Sequence, residues 1–277
     1  MTAIVYNGTL HCLRRQSRSN AKRGSKAVML RWCFVAVGAW FVLNWIYQVV
    51  RKPGEILAPV SDSLAKSPDL TWQSYGSLFE KNSTKVISAE FLAALAQVEG
   101  SGNPIASTYW RWRWSWNPFE IYRPASSAVG MFQITDGTFA EARKYCIRDH
   151  QVFTEGPWHD VNSCWFNSFY SRTVPSHSIQ LTAAYLHRTV IDTLADRPRP
   201  RSTPAQQQRL AAVIHLCGLK RGQLFAKRGF KLAPGERCGS HNVAQYLARI
   251  DTMKRRFVEL RRQSADQPTR FPLPALS

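Results

Sequence analysis

Apolar side chains fall along this chain in one unbroken block and five helically spaced stripes, with one short stretch of strict alternation. The block runs from Trp32 to Val50, uncharged throughout, with Asn44 and Gln48 as its polar interruptions. A run of about 19 residues is enough to cross a hydrocarbon core of roughly 30 Å. The stripes predict helices near 89–98, 136–147, 177–195, 205–217 and 241–262. The last carries Val243, Tyr246, Leu247, Ile250, Met253, Phe257 and Leu260 at helical intervals. Ser88 is placed to cap the first of them, with Ile87 and Leu92 as a hydrophobic staple and Glu90 at the positive end of the dipole. Gly100, Gly102 and Pro104 then end it. The alternation occupies Tyr109 to Pro118, where Trp110, Trp112, Trp114 and Trp116 interleave with Arg111, Arg113 and Ser115, as in an extended segment or hairpin arm.

These patterns predict a mainly α protein in five stretches: a basic tail over 1–26, an anchor over 27–50, a Pro- and Ser-bearing linker over 51–69, one helical domain over 70–262 and a flexible tail over 263–277. Asp196 to Pro204 reads as a loop between helices. Seven Lys and Arg precede the apolar block and no Asp or Glu does, so the N-terminus is expected in the cytoplasm and the domain outside it. A cleaved signal peptide is the rival, although no small-x-small site follows the block.

The formal net charge is +19; residues 51–277 hold thirty basic against eighteen acidic side chains, leaving +12. Such a surface favours anionic partners but does not choose among peptidoglycan carboxylates, phospholipid headgroups and nucleic acid. Of six cysteines, Cys146, Cys164, Cys217 and Cys238 follow the apolar block. In an exported domain they permit two disulfides, most simply Cys146–Cys164 and Cys217–Cys238. The alternative is a metal site, since His215-x-Cys217 and Cys238-x-x-His241 have ligand-like spacing. The expectation is disulfides, with no metal and no cofactor.

The candidate chemistry centres on Glu99 in Gln97-Val98-Glu99-Gly100-Ser101-Gly102-Asn103-Pro104. Phe91, Leu95 and Glu99 share a helix face, so the carboxyl leaves the last turn beside apolar side chains at the negative end of the dipole. Both effects favour the neutral acid, the form that can protonate a glycosidic oxygen. A solvated Glu at a helix end is the plain alternative. Downstream, Ser126-Ser127-Ala128-Val129-Gly130-Met131-Phe132-Gln133-Ile134-Thr135 supplies a glycine turn and an amide able to meet sugar groups. Thr135 or Asp136 then caps a helix.

Together the two stretches resemble the lytic transglycosylases, lysozyme-like enzymes that cut bacterial peptidoglycan. Their pattern after the catalytic Glu is close to Ser-x-Gly-Ala-x-Gly-Leu-Met-Gln-Ile. Ser126, Ala128, Gly130, Gln133 and Ile134 match it, Ser127 replaces a Gly, and Met131-Phe132 replace Leu-Met. Ser178 to Leu186 is similar to the family's Asn-Ile-x-x-Gly-x-x-Tyr-Leu helix, with Ser178 and Thr182 departing. Val213 to Gly218 stands where the family has Ala-Tyr-Asn-Ala-Gly, with only Gly218 kept and His215 near the Tyr position. The Ser that usually follows the Glu is replaced by Gly100.

The resemblance implies a lysozyme-like helical domain of the goose-type or SLT kind, carried by an N-terminal transmembrane helix. It implies cleavage of the β-1,4 bond between N-acetylmuramic acid and N-acetylglucosamine without water. Glu99 serves as acid and then base, giving a 1,6-anhydro product with help from the substrate's acetamido group. A second catalytic carboxylate is not needed; Glu120 reads as a loop residue and Asp136 as a cap. Ser126, Gly130, Met131, Gln133 and Tyr185 are the expected substrate-binding positions, with Tyr185 a cleft wall and hydrogen-bond partner for Glu99. The implied setting is the bacterial inner membrane with a periplasmic domain acting on glycan strands. Such anchored enzymes open the wall for secretion, conjugation or pilus machinery or take part in its turnover. The alternatives are a goose-type lysozyme, which adds water, and a non-catalytic peptidoglycan- or nucleic-acid-binding module; nucleic acid is not the expected partner.

For the Trp–Arg segment the expectation is a lid or wall of the glycan groove, with Trp112 and Trp114 against sugar faces. Packing over the domain and contact with the membrane are the alternatives.

Overall fold

The N-cap signals read above are where helices begin. A computed structural model of the chain describes residues 8–52, 56, 62–160, 163–195 and 202–266. Among them stand eight α-helices and three two-stranded antiparallel or bridged pairs, a mainly helical protein. The chain divides into two units: Met1–Pro53 with Trp110–Arg123, and Gly54–Tyr109 with Pro124–Ser277.

The first unit is helix α1 (Gly8–Arg51) with the arms of a hairpin, β1 (Trp110–Trp112) and β2 (Tyr122–Pro124). Over Val28–Arg51 the helix is long and apolar enough to be one membrane span or a signal sequence. Its backbone extends back to Gly8 through much of the segment read as a basic tail; residues 1–7 lie outside the described residues.

The second unit is built around α3 (Ala89–Gly100). The Ser88 hydroxyl accepts from the Phe91 N–H at 3.3 Å, capping the first turn. Every residue from Ala89 to Ala96 is buried, as for a helix apolar on all sides. Its one charge there, Glu90, is met by Arg261 at 2.6 Å. Packed on it are α2 (Pro68–Lys81) and α8 (Val243–Asp266). Around these lie α5 (Pro175–Ala195), α6 (Pro204–Cys217) and α7 (Leu219–Lys227). Thr203 and Gln206 form a reciprocal capping box at the start of α6.

Two helices, α2 and α7, were not predicted, and α2 begins directly after Ser67 inside the stretch assigned to the linker. Linker residues 53–55 and 57–61 and loop residues 196–201 lie outside the described residues, as do 267–277 of the expected tail, whose first residues continue α8. One prediction fails locally. The helix expected over 136–147 stops as α4 (Asp136–Ala142), and Tyr145–Arg148 forms β3, paired with β4 (Gln151–Thr154). Asp149 and His150 both adopt positive φ, the two-residue turn that suits a twisted hairpin. Ile147 pairs across to Val152, and Cys146 is tied to Cys164. Helical spacing of apolar residues did not reveal that turn.

Both disulfides have the sequence-local connectivity: Cys146–Cys164 with Cα atoms 5.5 Å apart, and Cys217–Cys238 with Cα atoms 5.4 Å apart. The second joins the end of α6 to β5 (Arg237–Cys238), which pairs with β6 (His241–Asn242) ahead of α8. Cys217 and Cys238 are thereby spent on each other rather than offered as metal ligands. Among the described residues no cluster of His, Cys, Asp or Glu has the makings of a metal site.

Candidate active site

Glu99 lies in the last turn of α3, and the way that helix ends fixes where its carboxyl goes. Ser101 is left-handed at φ 50° and Gly102 at φ 64°. Their N–H groups return to the carbonyls of Gln97 and Ala96, both at 3.1 Å, closing the C-terminus in the manner of a Schellman motif. A Cβ on Gly102 would stand 2.1 Å from Thr71 Oγ1, so the turn lies flush against α2. Thr71 in turn donates to Gln97 Oε1 at 2.8 Å.

Gly100 brings the two sequence motifs together. A Cβ there would come within 2.8 Å of the Met131 Cα and 2.9 Å of its carbonyl oxygen. The helix end therefore rests on the backbone of the second motif, an approach open only to glycine. Gly130 takes φ 83° at that turn, with the Arg172 carbonyl 2.4 Å from where a Cβ would be. Arg172 holds the loop in place: its Nη1 donates to the carbonyls of Ser127 and Ile134, each at 2.9 Å, and pairs with Asp136 at 2.8 Å. The helix cap itself is Thr135, whose hydroxyl accepts from Thr138.

The Glu99 side chain is 16% exposed, so it sits at the edge of the packed interior and not in bulk solvent. Oε1 accepts a hydrogen bond from the Tyr246 hydroxyl of α8 at 2.5 Å. His215 Nε2 of α6 stands 3.7 Å from the same oxygen. Burial, and then the neighbouring Glu99 charge, hold the Tyr246 phenol well above its ordinary pKa, so it remains a donor at any physiological pH. Among the described residues, Tyr246 and His215 are the side chains in hydrogen-bond or ion-pair reach of Glu99, and neither is a carboxylate. Three helices thus supply an acid, a hydroxyl donor and an imidazole.

The other expected site residues take varied places. Met131 is fully buried, so its backbone, not its side chain, belongs to the site. Gln133 adopts φ 48° and spends its amide donors on the carbonyls of Ala106 and Gly130, at 3.1 and 3.0 Å, bracing the loop. Ser126 is exposed, and its hydroxyl accepts from the Ala128 N–H. Tyr185 is half-buried on α5, where burial, Glu141 and Tyr145 push its pKa up; the phenol bonded to Glu99 is that of Tyr246. Tyr246 had entered the sequence reading as one more core residue of a stripe. Its hydroxyl was the missed signal, since a buried phenol needs a partner. Trp112 and Trp114 belong to the other unit, where Trp112 stacks on Trp40 with ring centroids 6.0 Å apart. A cleft of about 620 Å³ opens beside the β3–β4 turn, bordered by Lys81, His150, Phe166, Tyr170 and Gln180; Glu99 is not in its lining.

No protein-family model matches this chain, and no curated protein is similar to it.

Proposed function

We propose that the helical domain is a peptidoglycan lytic transglycosylase of lysozyme-like fold, held at the bacterial inner membrane by α1 with its domain on the periplasmic side. The observation that carries the reading is the meeting of the Glu99 helix end with the Gly130–Met131 turn through Gly100, with Glu99 covered and held by Tyr246. Two stretches that resemble one family's signature at separate places in the sequence share one site in space.

In this mechanism Glu99 gives its proton to the glycosidic oxygen as the bond between N-acetylmuramic acid and N-acetylglucosamine breaks. The substrate's acetamido group steadies the positive charge at C1. The Glu99 carboxylate, its Oε1 held by Tyr246, then takes the proton of the C6 hydroxyl as that oxygen closes on C1. The product is a 1,6-anhydro sugar, and no water is consumed. The partners of Glu99 among the described residues, Tyr246 and His215, are a phenol and an imidazole, which suits a one-acid cycle, and Asp136 is paired with Arg172. The two disulfides fit an oxidising compartment.

The test is digestion of purified cell-wall sacculi by the wild type and Glu99→Gln. Anhydro-ended muropeptides from the wild type alone support the proposal. Products heavier by one water would make it a hydrolase, and undiminished cleavage by the variant would remove Glu99 from the chemistry.

A further inference from the structure

The Trp–Arg segment is bound to the apolar helix, and the bonds that hold it are the ones the helix most needs. Asn44 and Gln48 are the polar interruptions of the Trp32–Val50 block, each costly to leave unpaired in hydrocarbon. Asn44 Nδ2 donates to the Tyr122 carbonyl at 2.7 Å, and Gln48 Nε2 donates to the Phe119 carbonyl at 2.6 Å. Both side chains are buried, Asn44 to 1% exposure, on a helix whose other faces are mostly open. At the same face Trp40 stacks on Trp112, Phe41 meets Trp112 and Tyr122, and Tyr47 stacks on Phe119 at 5.4 Å. Arg51 closes the row with an ion pair to Glu120.

Positions 40, 44, 47, 48 and 51 form one stripe of the helix. From Trp40 to Arg51 it rises about 16 Å, roughly half of a hydrocarbon core of about 30 Å. The hairpin thus covers the C-terminal half of the apolar helix. Beyond β1 it presents Trp114 and Trp116, 83% and 93% exposed, beside exposed Arg113. Indole rings that prefer the boundary of a bilayer, next to a cation that pairs with phosphate, are a membrane-interface composition.

We infer that Trp110–Arg123 is a membrane-embedded clasp: it pairs with the span through Asn44 and Gln48 and sets Trp114 and Trp116, with Arg113 reaching up beside them, into the headgroup region of the leaflet at the C-terminal end of α1. The inference rests on α1 being a retained membrane span, and it does not depend on Glu99. The clasp also gives the Asn44 and Gln48 N–H donors partners within lipid, although the buried Asn44 Oδ1 meets no donor among the described residues. The amides are addressed to a later segment of the same chain, so removal of α1 would strand the hairpin.

The experiment uses the full chain reconstituted in vesicles of phosphatidylcholine and phosphatidylglycerol. A polarity-sensitive fluorophore is placed either on the native Cys33 or, with Cys33 and Cys12 replaced by Ser, at Ser115→Cys or at the exposed Lys227→Cys. Lipids brominated high or low on the acyl chain act as quenchers. The proposal expects strong quenching at Cys33, quenching at position 115 by the shallow bromines, and none at position 227. With Asn44→Leu and Gln48→Leu together, trypsin should cut at Arg111 and Arg113 about tenfold faster in vesicles, as two intramembrane hydrogen bonds are lost. A probe at 115 that reports water while Cys33 is quenched overturns the clasp. So does one that responds only to added sacculi, which would make the segment a glycan lid. An unquenched Cys33 overturns the span reading and the clasp with it, and leaves the proposed enzyme chemistry standing.

Discussion

Replacing Tyr246 with Phe removes a single oxygen from the site and leaves the ring in its buried place. In the native protein that hydroxyl donates to Glu99 Oε1, and the acid is largely shielded from water. A hydrogen bond to a charged group in such surroundings is worth about 1.5–3 kcal/mol. Glu99 keeps some exposure, so water recovers part of this in the variant and the lower half of the range applies. If the bond serves the step in which the carboxylate takes the C6 proton, the loss falls on turnover. At 1.36 kcal/mol per power of ten this is roughly one to two powers of ten in kcat, with little change in KM. The assay is the release of anhydro-muropeptides from sacculi across pH 5 to 9. Because the phenol lies well above its ordinary pKa, its own ionisation adds no limb to the wild-type profile in that window. The reasoning is refuted if Tyr246→Phe, shown to be folded by its melting curve, turns over as fast as the wild type. It is equally refuted if the loss is confined to KM.

Gly100→Ala should lower stability by about 1–3 kcal/mol despite the better helix former, because its Cβ meets backbone and not a movable side chain; a melting temperature at or above the wild-type value would contradict this. Acid should weaken the domain through Glu90. Burial there opposes the charge, but the Arg261 hydrogen bond, the backbone and Ser88 outweigh it and the folded pKa is lowered. The pair's stabilisation is therefore complete above the ordinary glutamate pKa and is lost as pH falls through the depressed value. Denaturant melts at pH 6 and pH 3 should differ less for Glu90→Gln than for the wild type. Reduction should cost about 3 kcal/mol for each of the two loops if both disulfides are unstrained. Mass spectrometry of the alkylated, unreduced protein should find no label on Cys146, Cys164, Cys217 or Cys238.

What could be read from the sequence was whatever local chemistry decides. Ser88 and Thr135 cap helices because their hydroxyls satisfy free N–H groups within three residues. The disulfide partners lie close in sequence, and the apolar block needed only its length. The failures involve distance or turn chemistry. The β3–β4 hairpin was hidden because its apolar residues also fit a helix, while the turn depends on Asp149 and His150 accepting positive φ. Tyr246 is 147 residues from Glu99, so no local pattern could pair them. Asn44 and Gln48 read as blemishes in a span until the carbonyls of Tyr122 and Phe119 gave them a purpose. Gly100 showed the reverse: a departure from the family's Ser, it is where the helix end and the second motif touch.

The account turns on Glu99 as the one group that both gives and takes the proton. Its most direct test is mass spectrometry of the muropeptides released from sacculi by the wild type and by folded Glu99→Gln. The account predicts 1,6-anhydro ends from the wild type and a loss of product of about a hundredfold to ten-thousandfold in the variant, the scale expected when the acid step is removed. Anhydro products at an undiminished rate from Glu99→Gln would contradict it.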